Sequence, residues 1–297
     1  MHSLFTKKRV LIAVLLIALA ALALLFVLRG TEEPAELAEE SAWPTQERIG
    51  ISVEGRAIEA YTFGDGPSRA EAGVTRLLFV GGIHGGYEWN SVLLAYRFMD
   101  HLDANPTAVP EGVAVSVIPS ANPDGVYRVI GKEGRFAAAD APPEVDTVPG
   151  RFNARTVDLN RNFDCRWQPE SMWRGAVVSA GAAPFSEPEA RAIRDFVLER
   201  EPDAVIFWHS QSNAVYASEC TQGILPETRT LMNTYAIAAG YPPIDVFDAY
   251  AITGDAEGWL ASLGIPAITV ELSTHEAVEW ERNLAGIEAL FAYYGAR

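Results

Sequence analysis

Cysteine is scarce in this chain: positions 165 and 220 hold the only 2 in 297 residues. That is too few for a disulfide-stapled miniprotein or a four-thiolate zinc site, but enough for one bridge. Histidine is nearly as rare, 5 in all, so any metal centre must combine histidine with carboxylate. Basic residues are outnumbered, 23 Lys and Arg against 39 Asp and Glu, for a formal net charge of -16. A surface of that sign repels a phosphate backbone, which excludes nucleic acid as a partner class. No Walker loop, dinucleotide glycine fingerprint or Gly-x-Ser-x-Gly nucleophile elbow occurs, so phosphate-cradling and serine-nucleophile chemistries have no motif to rest on. General disorder is excluded as well, because 49% hydrophobic with 21% charged residues is the balance of a folding chain.

One long apolar run is present. Val10 to Leu28 is 19 residues without a charge, flanked by Lys7, Lys8, Arg9 and Arg29. At about 1.5 Å per residue it nearly matches a bilayer core of about 30 Å, so it is a membrane span or a signal sequence. A removable signal has an apolar stretch of about 7–15 residues, and the small triplet Ala18-Leu19-Ala20 lies inside the run rather than after it. Residues 1–29 are therefore expected to be a basic stub and an uncleaved anchor, cytoplasmic at the N-terminus with the remainder outside. Residues 30–45 are acidic, contain proline and lack an apolar period, and read as a tether. The folded part, 46–297, is the length of one α/β or barrel domain.

Within it, Ile51 to Phe63 has the alternation of an early hairpin, and Arg76–Gly81, Val113–Ile118, Ala204–Trp208 and Pro266–Val270 are short apolar runs typical of buried strands. Helical spacing marks Glu88–Leu102, Glu227–Ala239 and Trp280–Tyr294, and Ser186-Glu-Pro-Glu189 has the pattern of a capping box opening a helix to about Glu199. This β-α-β rhythm predicts a mixed, mainly parallel sheet flanked by helices.

In such a sheet ligands bind beyond the carboxyl ends of the strands. Three apolar runs deliver polar residues there: RLLFVGGIHGGYE gives His84 and Glu88, DAVIFWHS gives His209, and PAITVELS gives Glu271. Two histidines and a carboxylate form the ligand set of an open zinc site, with a second carboxylate left over as a base. Read alone, His84 and Glu88 fit equally well a glycine turn with a carboxylate at a helix N-terminus, and His209 fits a buried core histidine. His275-Glu-Ala-Val-Glu279 begins like the His-Glu-x-x-His zinc motif but has Glu279 where the second histidine is required, and a solvated turn is expected there. His2 and His101 have no partners in the pattern.

Taken together, GGIHGGYE, SANPDGVY, VDLNRNF, PFSEPEARAI, FWHSQSN and ITVEL resemble, in order, the segments of the zinc carboxypeptidase family (M14, metallocarboxypeptidase A-like peptidases), from about Arg76 to Tyr293. The resemblance implies an eight-stranded sheet and one Zn2+ per chain, held by His84, Glu88 and His209, with Glu271 as general base. It implies that Asp158 orients the first ligand histidine, against a plain turn aspartate. It gives Asn160 and Arg161 to the substrate's terminal carboxylate, Tyr250 to a segment closing over the substrate, and Arg151, in competition with Arg155, to the developing oxyanion. Glu257 falls where the family sets side-chain preference, implying a basic last residue, although Asp255 and Glu257 fit equally a helix N-terminus. The sequence departs from the family in placing three residues rather than two between His84 and Glu88, a shift that Gly85 and Gly86 can absorb. Cys165 and Cys220 follow site segments and, outside the cytoplasm, are expected to form a disulfide.

The implied function is a membrane-tethered, extracytoplasmic metallocarboxypeptidase with a peptide partner. The alternatives are a peptidase or amidase of cell-wall peptides near diaminopimelate, a related amidohydrolase that removes an acyl group from an amino acid, and an inactive binding module that keeps the fold.

Overall fold

The computed structural model describes residues 44–64, 73–141, 143 and 146–296. The expected anchor over 10–28 and nearly all of the tether lie outside these; among the described residues no helix is long and apolar enough to cross a membrane.

Strands β1 (Thr45–Ile51) and β2 (Ala57–Gly64) form an antiparallel hairpin. The hairpin expected from Ile51 is thus displaced: its first strand precedes Ile51, taking Thr45 from the tether, and residues 52–56 are its turn. The reason is tertiary. Asp124, far along the chain, accepts hydrogen bonds from Ser52 Oγ at 2.6 Å, Glu54 N at 2.9 Å and Arg56 Nη1 at 2.7 Å, which fixes the turn where local alternation alone cannot.

The apolar runs become β3 (Thr75–Val80) and β4 (Val113–Ile118), and a separate antiparallel hairpin is made by β5 (Glu170–Trp173) and β6 (Ala176–Ser179). β7 (Ala204–Ser210), β8 (Ala214–Ala217), β9 (Pro243–Ile244) and β10 (Ala267–Leu272) complete an eight-stranded sheet of order β1-β2-β4-β3-β7-β10-β8-β9. The central strands β4, β3, β7 and β10 are mutually parallel; β1-β2, β2-β4 and β10-β8 pair antiparallel, and the short β9 pairs parallel with β8. Every residue of β7 is buried, as a parallel strand covered on both faces requires. Its alternation splits the core: Ile206 and Trp208 belong to one apolar cluster, Val205 and Phe207 to the other.

Among the described residues six helices supply the cover: α1 (Trp89–Ala104), α2 (Pro123–Ile130), α3 (Pro188–Arg200), α4 (Pro226–Ala239), α5 (Ala256–Ser262) and α6 (Trp280–Tyr294). α1, α4 and α6 pack on the Trp208 face, α3 and α5 on the Phe207 face. The capping box at Ser186 does not form. α3 starts after Glu187 without a side-chain cap, because Glu187 and Glu189 are buried and both accept from Asn153 Nδ2, at 2.8 and 3.1 Å. α2, β5, β6 and α5 are too short for a period to be read from the sequence.

Cys165 and Cys220 form a disulfide across a separation of 55 residues with Cα atoms 6.0 Å apart. It joins the loop before β5 to the loop after β8, two segments without a strand in common. Replacing both cysteines by serine is expected to lower the unfolding free energy by about 2–4 kcal/mol, through the entropy regained by the unfolded chain. Urea unfolding of the oxidised protein and the double variant measures the difference.

Candidate active site

The carboxyl ends of β3, β7 and β10 meet at one cavity of about 570 Å³. The sheet itself sets part of the geometry: parallel register pairs Glu271 of β10 with His209 of β7, so these two side chains are neighbours by hydrogen-bonded ladder rather than by loop conformation. His84 arrives four residues beyond β3, and a 3₁₀ turn over Gly85–Glu88 folds Glu88 back toward it. The glycines are required. Gly85 has φ +49, and a Cβ there would stand 2.5 Å from Gly150 O, while one on Gly86 would stand 2.6 Å from Gly125 O. The extra residue between His84 and Glu88 is accommodated in this turn.

His84, Glu88 and His209 are all buried and offer donor atoms that lie within 4.8 Å of one another. His209 Nε2 contacts Glu257 Oε1 at 3.1 Å, which leaves Nδ1 facing Glu88 Oε2, also at 3.1 Å. Burial opposes charge on His209, yet Glu88 and Glu257 on either side raise its pKa well above the ordinary histidine value. His84 behaves oppositely: burial, then the charges of Arg151 and His209, drive it well below that value, which favours the neutral, ligating imidazole. Its Nδ1 has no hydrogen-bond partner among the described residues, Asp158 Oδ1 standing 3.6 Å away. A buried nitrogen so placed costs free energy, and a cation shared with His209 and Glu88 would satisfy it; two imidazoles and a carboxylate suit zinc.

Asp158 is fully buried and takes Arg151 Nε and Nη2, each at 2.9 Å. Arg151 Nη1 lies 3.8 Å from Glu88 Oε1, and its guanidinium stacks 4.5 Å from the Trp173 ring. Asn122, the N-cap of α2, donates to Arg151 O at 3.3 Å, so the SANPDGVY segment braces this loop. Arg155 instead pairs with Glu187 at 3.4 Å and does not line the cavity. Asn160 and Arg161 do line it, as does Tyr250. Asn160 Oδ1 accepts from Ala256 N at 2.8 Å, which leaves its donor Nδ2 for a ligand.

Glu257 is not a free carboxylate projecting at a substrate side chain. Its Oε1 is engaged by His209 and by Thr269 Oγ1 at 3.0 Å, so it orients the imidazole, while Oε2 is buried and unpartnered. Asp255 also lines the cavity and caps α5 through Gly258 N at 2.7 Å; burial and the charge of Glu257 raise its pKa to about 6. Glu271 accepts from Ser212 N at 3.2 Å, and burial together with the charge of Glu88 pushes its pKa up to about 7.

Sequence reasoning missed His275, expected in a solvated turn. Asn90 Nδ2 spends both hydrogens on Thr274 O at 2.7 Å and Ala277 O at 2.9 Å, so its Oδ1 faces Ser210 Oγ at 3.0 Å and takes the hydroxyl hydrogen. The 2.7 Å contact between Ser210 Oγ and His275 Nδ1 is then donated by the ring. Ser210 N in turn donates to Glu88 Oε2 at 3.3 Å. His275 and Asn90 thus hold the residue that holds Glu88. The only signal in the sequence was the rarity of histidine itself.

His275→Asn, which keeps a donor near the Nδ1 position, is expected to retain zinc affinity, and His275→Ala to lose about tenfold or more; zinc titration against a chelator separates them. A second expectation concerns Glu271. Its proton is retained in the folded state above the ordinary value of 4.5, so in metal-free protein its contribution to stability falls as pH rises from 4.5 to about 7 and is level beyond. Thermal unfolding of metal-free wild type and Glu271→Gln should give a difference that moves toward the glutamine variant across that window; a pH-independent difference refutes it.

Known proteins resemble this chain in sequence and in fold. The sequence model of the zinc carboxypeptidases matches residues 36–280. Gamma-D-glutamyl-L-diamino acid endopeptidase 1 of Lysinibacillus sphaericus is 27% identical over 180 residues, 54% of this chain and 42% of that protein. The catalytic chain of Homo sapiens carboxypeptidase N is 36% identical over 121 residues, 39% of this chain and 25% of that one. The matched stretch spans less than half the length of either relative. In fold, the chain is similar to murein-tripeptide amidase MpaA from Escherichia coli O157, with a TM-score of 0.58 and 22% identity over 84% of this chain and 92% of that one. It is similar also to carboxypeptidase A from Helicoverpa armigera, with a TM-score of 0.64 and 21% identity over 86% and 68%. With the family model matched over most of its length and a His-Glu-His set gathered at the strand ends, the chain belongs to the zinc carboxypeptidase family.

Proposed function

We propose that this peptidase is a metallocarboxypeptidase that hydrolyses the last bond of a peptide with a free terminal carboxylate, using one zinc held by His84, Glu88 and His209. The observation that carries this reading is Arg161. Arg161 is 2% exposed, and among the described residues its guanidinium donates only to backbone carbonyls, Asn160 O at 2.6 Å and Met172 O at 3.4 Å, while Nε has no partner. A buried cation with no carboxylate in ion-pair contact among the described residues, lining the same cavity as Glu271 and Asn160, is suited to a substrate carboxylate.

Bound zinc supplies a Lewis acid and lowers the pKa of water to about 7. Glu271 takes the proton of the attacking water and returns it to the leaving amine. Arg151, held by Asp158, provides a fixed positive charge where the carbonyl oxygen becomes negative. Tyr250 covers the substrate. Asp255, with the unpartnered Oε2 of Glu257 behind it, favours a last residue with an amine.

A second reading shares this chemistry. Relatives named as a diamino acid endopeptidase and a murein-tripeptide amidase support a cell-wall peptide substrate, whose diamino acid would present its extra amine to the same acidic side of the cavity. The disulfide supports a location outside the cytoplasm, with residues 10–28 as the anchor.

Zinc content and kcat/KM, measured on the full chain with N-acyl dipeptides ending in Lys, Phe or Glu and with a muropeptide, test the proposal. One zinc per chain, a Lys-ending preference and a loss of about 10²–10⁴-fold in Glu271→Gln are expected. Selective turnover of the muropeptide moves the assignment to the second reading. A zinc-loaded protein inert on every substrate overturns both.

A further inference from the structure

Four arginines line the cavity of a chain whose net charge is -16. Two are neutralised by the protein: Arg151 by Asp158 at 2.9 Å, and Arg166 by Glu219 at 2.6 Å. Two are not. Arg161 meets only backbone carbonyls, and Arg174 donates only to Tyr87 Oη, at 3.1 Å. Among the described residues no carboxylate pairs with either one. The two share one element, since β5 gives its Met172 O to Arg161 and carries Arg174 at its end.

The backbone at Arg174 adds an independent observation. Arg174 and Gly175 form the two-residue turn between β5 and β6, with φ +49 and +82. Such a turn favours Asn, Asp or Gly at its first position, and a long side chain there costs of order 1 kcal/mol. The chain nevertheless has arginine, held toward the cavity by the Tyr87 hydroxyl and lying 5.9 Å from the Trp173 ring. Tyr87 is itself buried and adjoins Glu88.

We propose that Arg174 determines specificity by binding a second substrate carboxylate, so that the preferred peptides carry one free carboxylate besides the terminal one. This rests on the proposed function, in which Arg161 takes the terminal carboxylate. It adds that two guanidiniums without a carboxylate in ion-pair contact among the described residues are matched by a dianionic ligand, and that a monoanionic one leaves Arg174 without its partner. Because Arg174 is exposed, the preference is expected to weaken as salt rises.

The test uses zinc-loaded full-length protein and N-acyl tripeptides in Glu/Gln pairs, with the exchange made in turn at each of the three residues. At one position the Glu peptide should exceed its Gln partner in kcat/KM by about tenfold or more at low salt. That ratio should fall toward one in Arg174→Gln, recover in part in Arg174→Lys, and persist in Arg166→Gln. The same pairs, titrated calorimetrically against zinc-loaded Glu271→Gln, give the affinity ratio even if no peptide is cleaved. Absence of hydrolysis with a retained affinity ratio counts against the proposed function alone. Ratios near one at every position, or a preference that survives Arg174→Gln, overturn the role of Arg174.

Discussion

The structure turns on burying charge at the ends of three strands. Glu88, Asp158, Glu257, Arg151 and His209 are each at most 3% exposed, and a buried charge is tolerable only when paired and hydrogen-bonded. The pairs are made in series: Glu257 to His209, His209 to Glu88, Glu88 toward Arg151, and Arg151 to Asp158. Removing one member strands its neighbours, so the constellation is cooperative. It is also acid-rich on its cavity side, where Glu271 and Asp255 both bind protons more tightly than ordinary carboxylates. A divalent cation among these oxygens and imidazoles would complete the balance and tie metal binding to stability.

Loops bear most of these charges, and loops are held by buried polar side chains. Asn122, Asn153 and Asn162 are each 0% exposed. Asn162 donates to Ala180 O and Ala183 O and accepts from Glu187 N, while Asn153 bridges Glu187 and Glu189. The motifs VDLNRNF and PFSEPE therefore meet in one lattice: Asn162 of the first bonds Ser186 Oγ and Glu187 N of the second, and Asn153, just before the first, bonds the carboxylates of Glu187 and Glu189. Their joint occurrence has a physical reason, since either half alone would leave buried polar groups unpaired.

What was legible in the sequence follows the range of the responsible force. β4 and α6 were read to the residue, because burial on one or both faces imprints a local period. His84, His209 and Glu271 were legible as polar residues ending apolar strands, a rule of topology rather than of contact. What failed depends on partners distant in sequence. Ser186 lost its capping role to a lattice built on Asn153 and Asn162, the first hairpin was shifted by Asp124, and His275 is placed by Asn90 and Ser210. Glu257 is the instructive case: a carboxylate at the start of a helix is expected to face outward or toward a ligand, and only the register of β10 beside β7 reveals that it lies behind His209.

The same division separates parts that must be rigid from parts that can vary. His209 and Glu271 are the two partners of one rung of a buried parallel ladder, so their separation cannot change without breaking the sheet. Glu88 and Arg151 sit on loops pinned by close glycine contacts, where an added methyl group would strike a backbone oxygen. Tyr250 and Arg174, by contrast, come from a segment without regular structure and from a two-stranded hairpin outside the main sheet. That hairpin has exposed Met172 and Val177 on one side and, on the other, Trp173, which packs against Tyr87 and over which Arg151 stacks. Its inner face thus belongs to the charge network, while its turn belongs to the substrate. Residues at the turn can exchange at a cost confined to a few hydrogen bonds, whereas any change to the ladder is felt by His209, Glu271 and the core together.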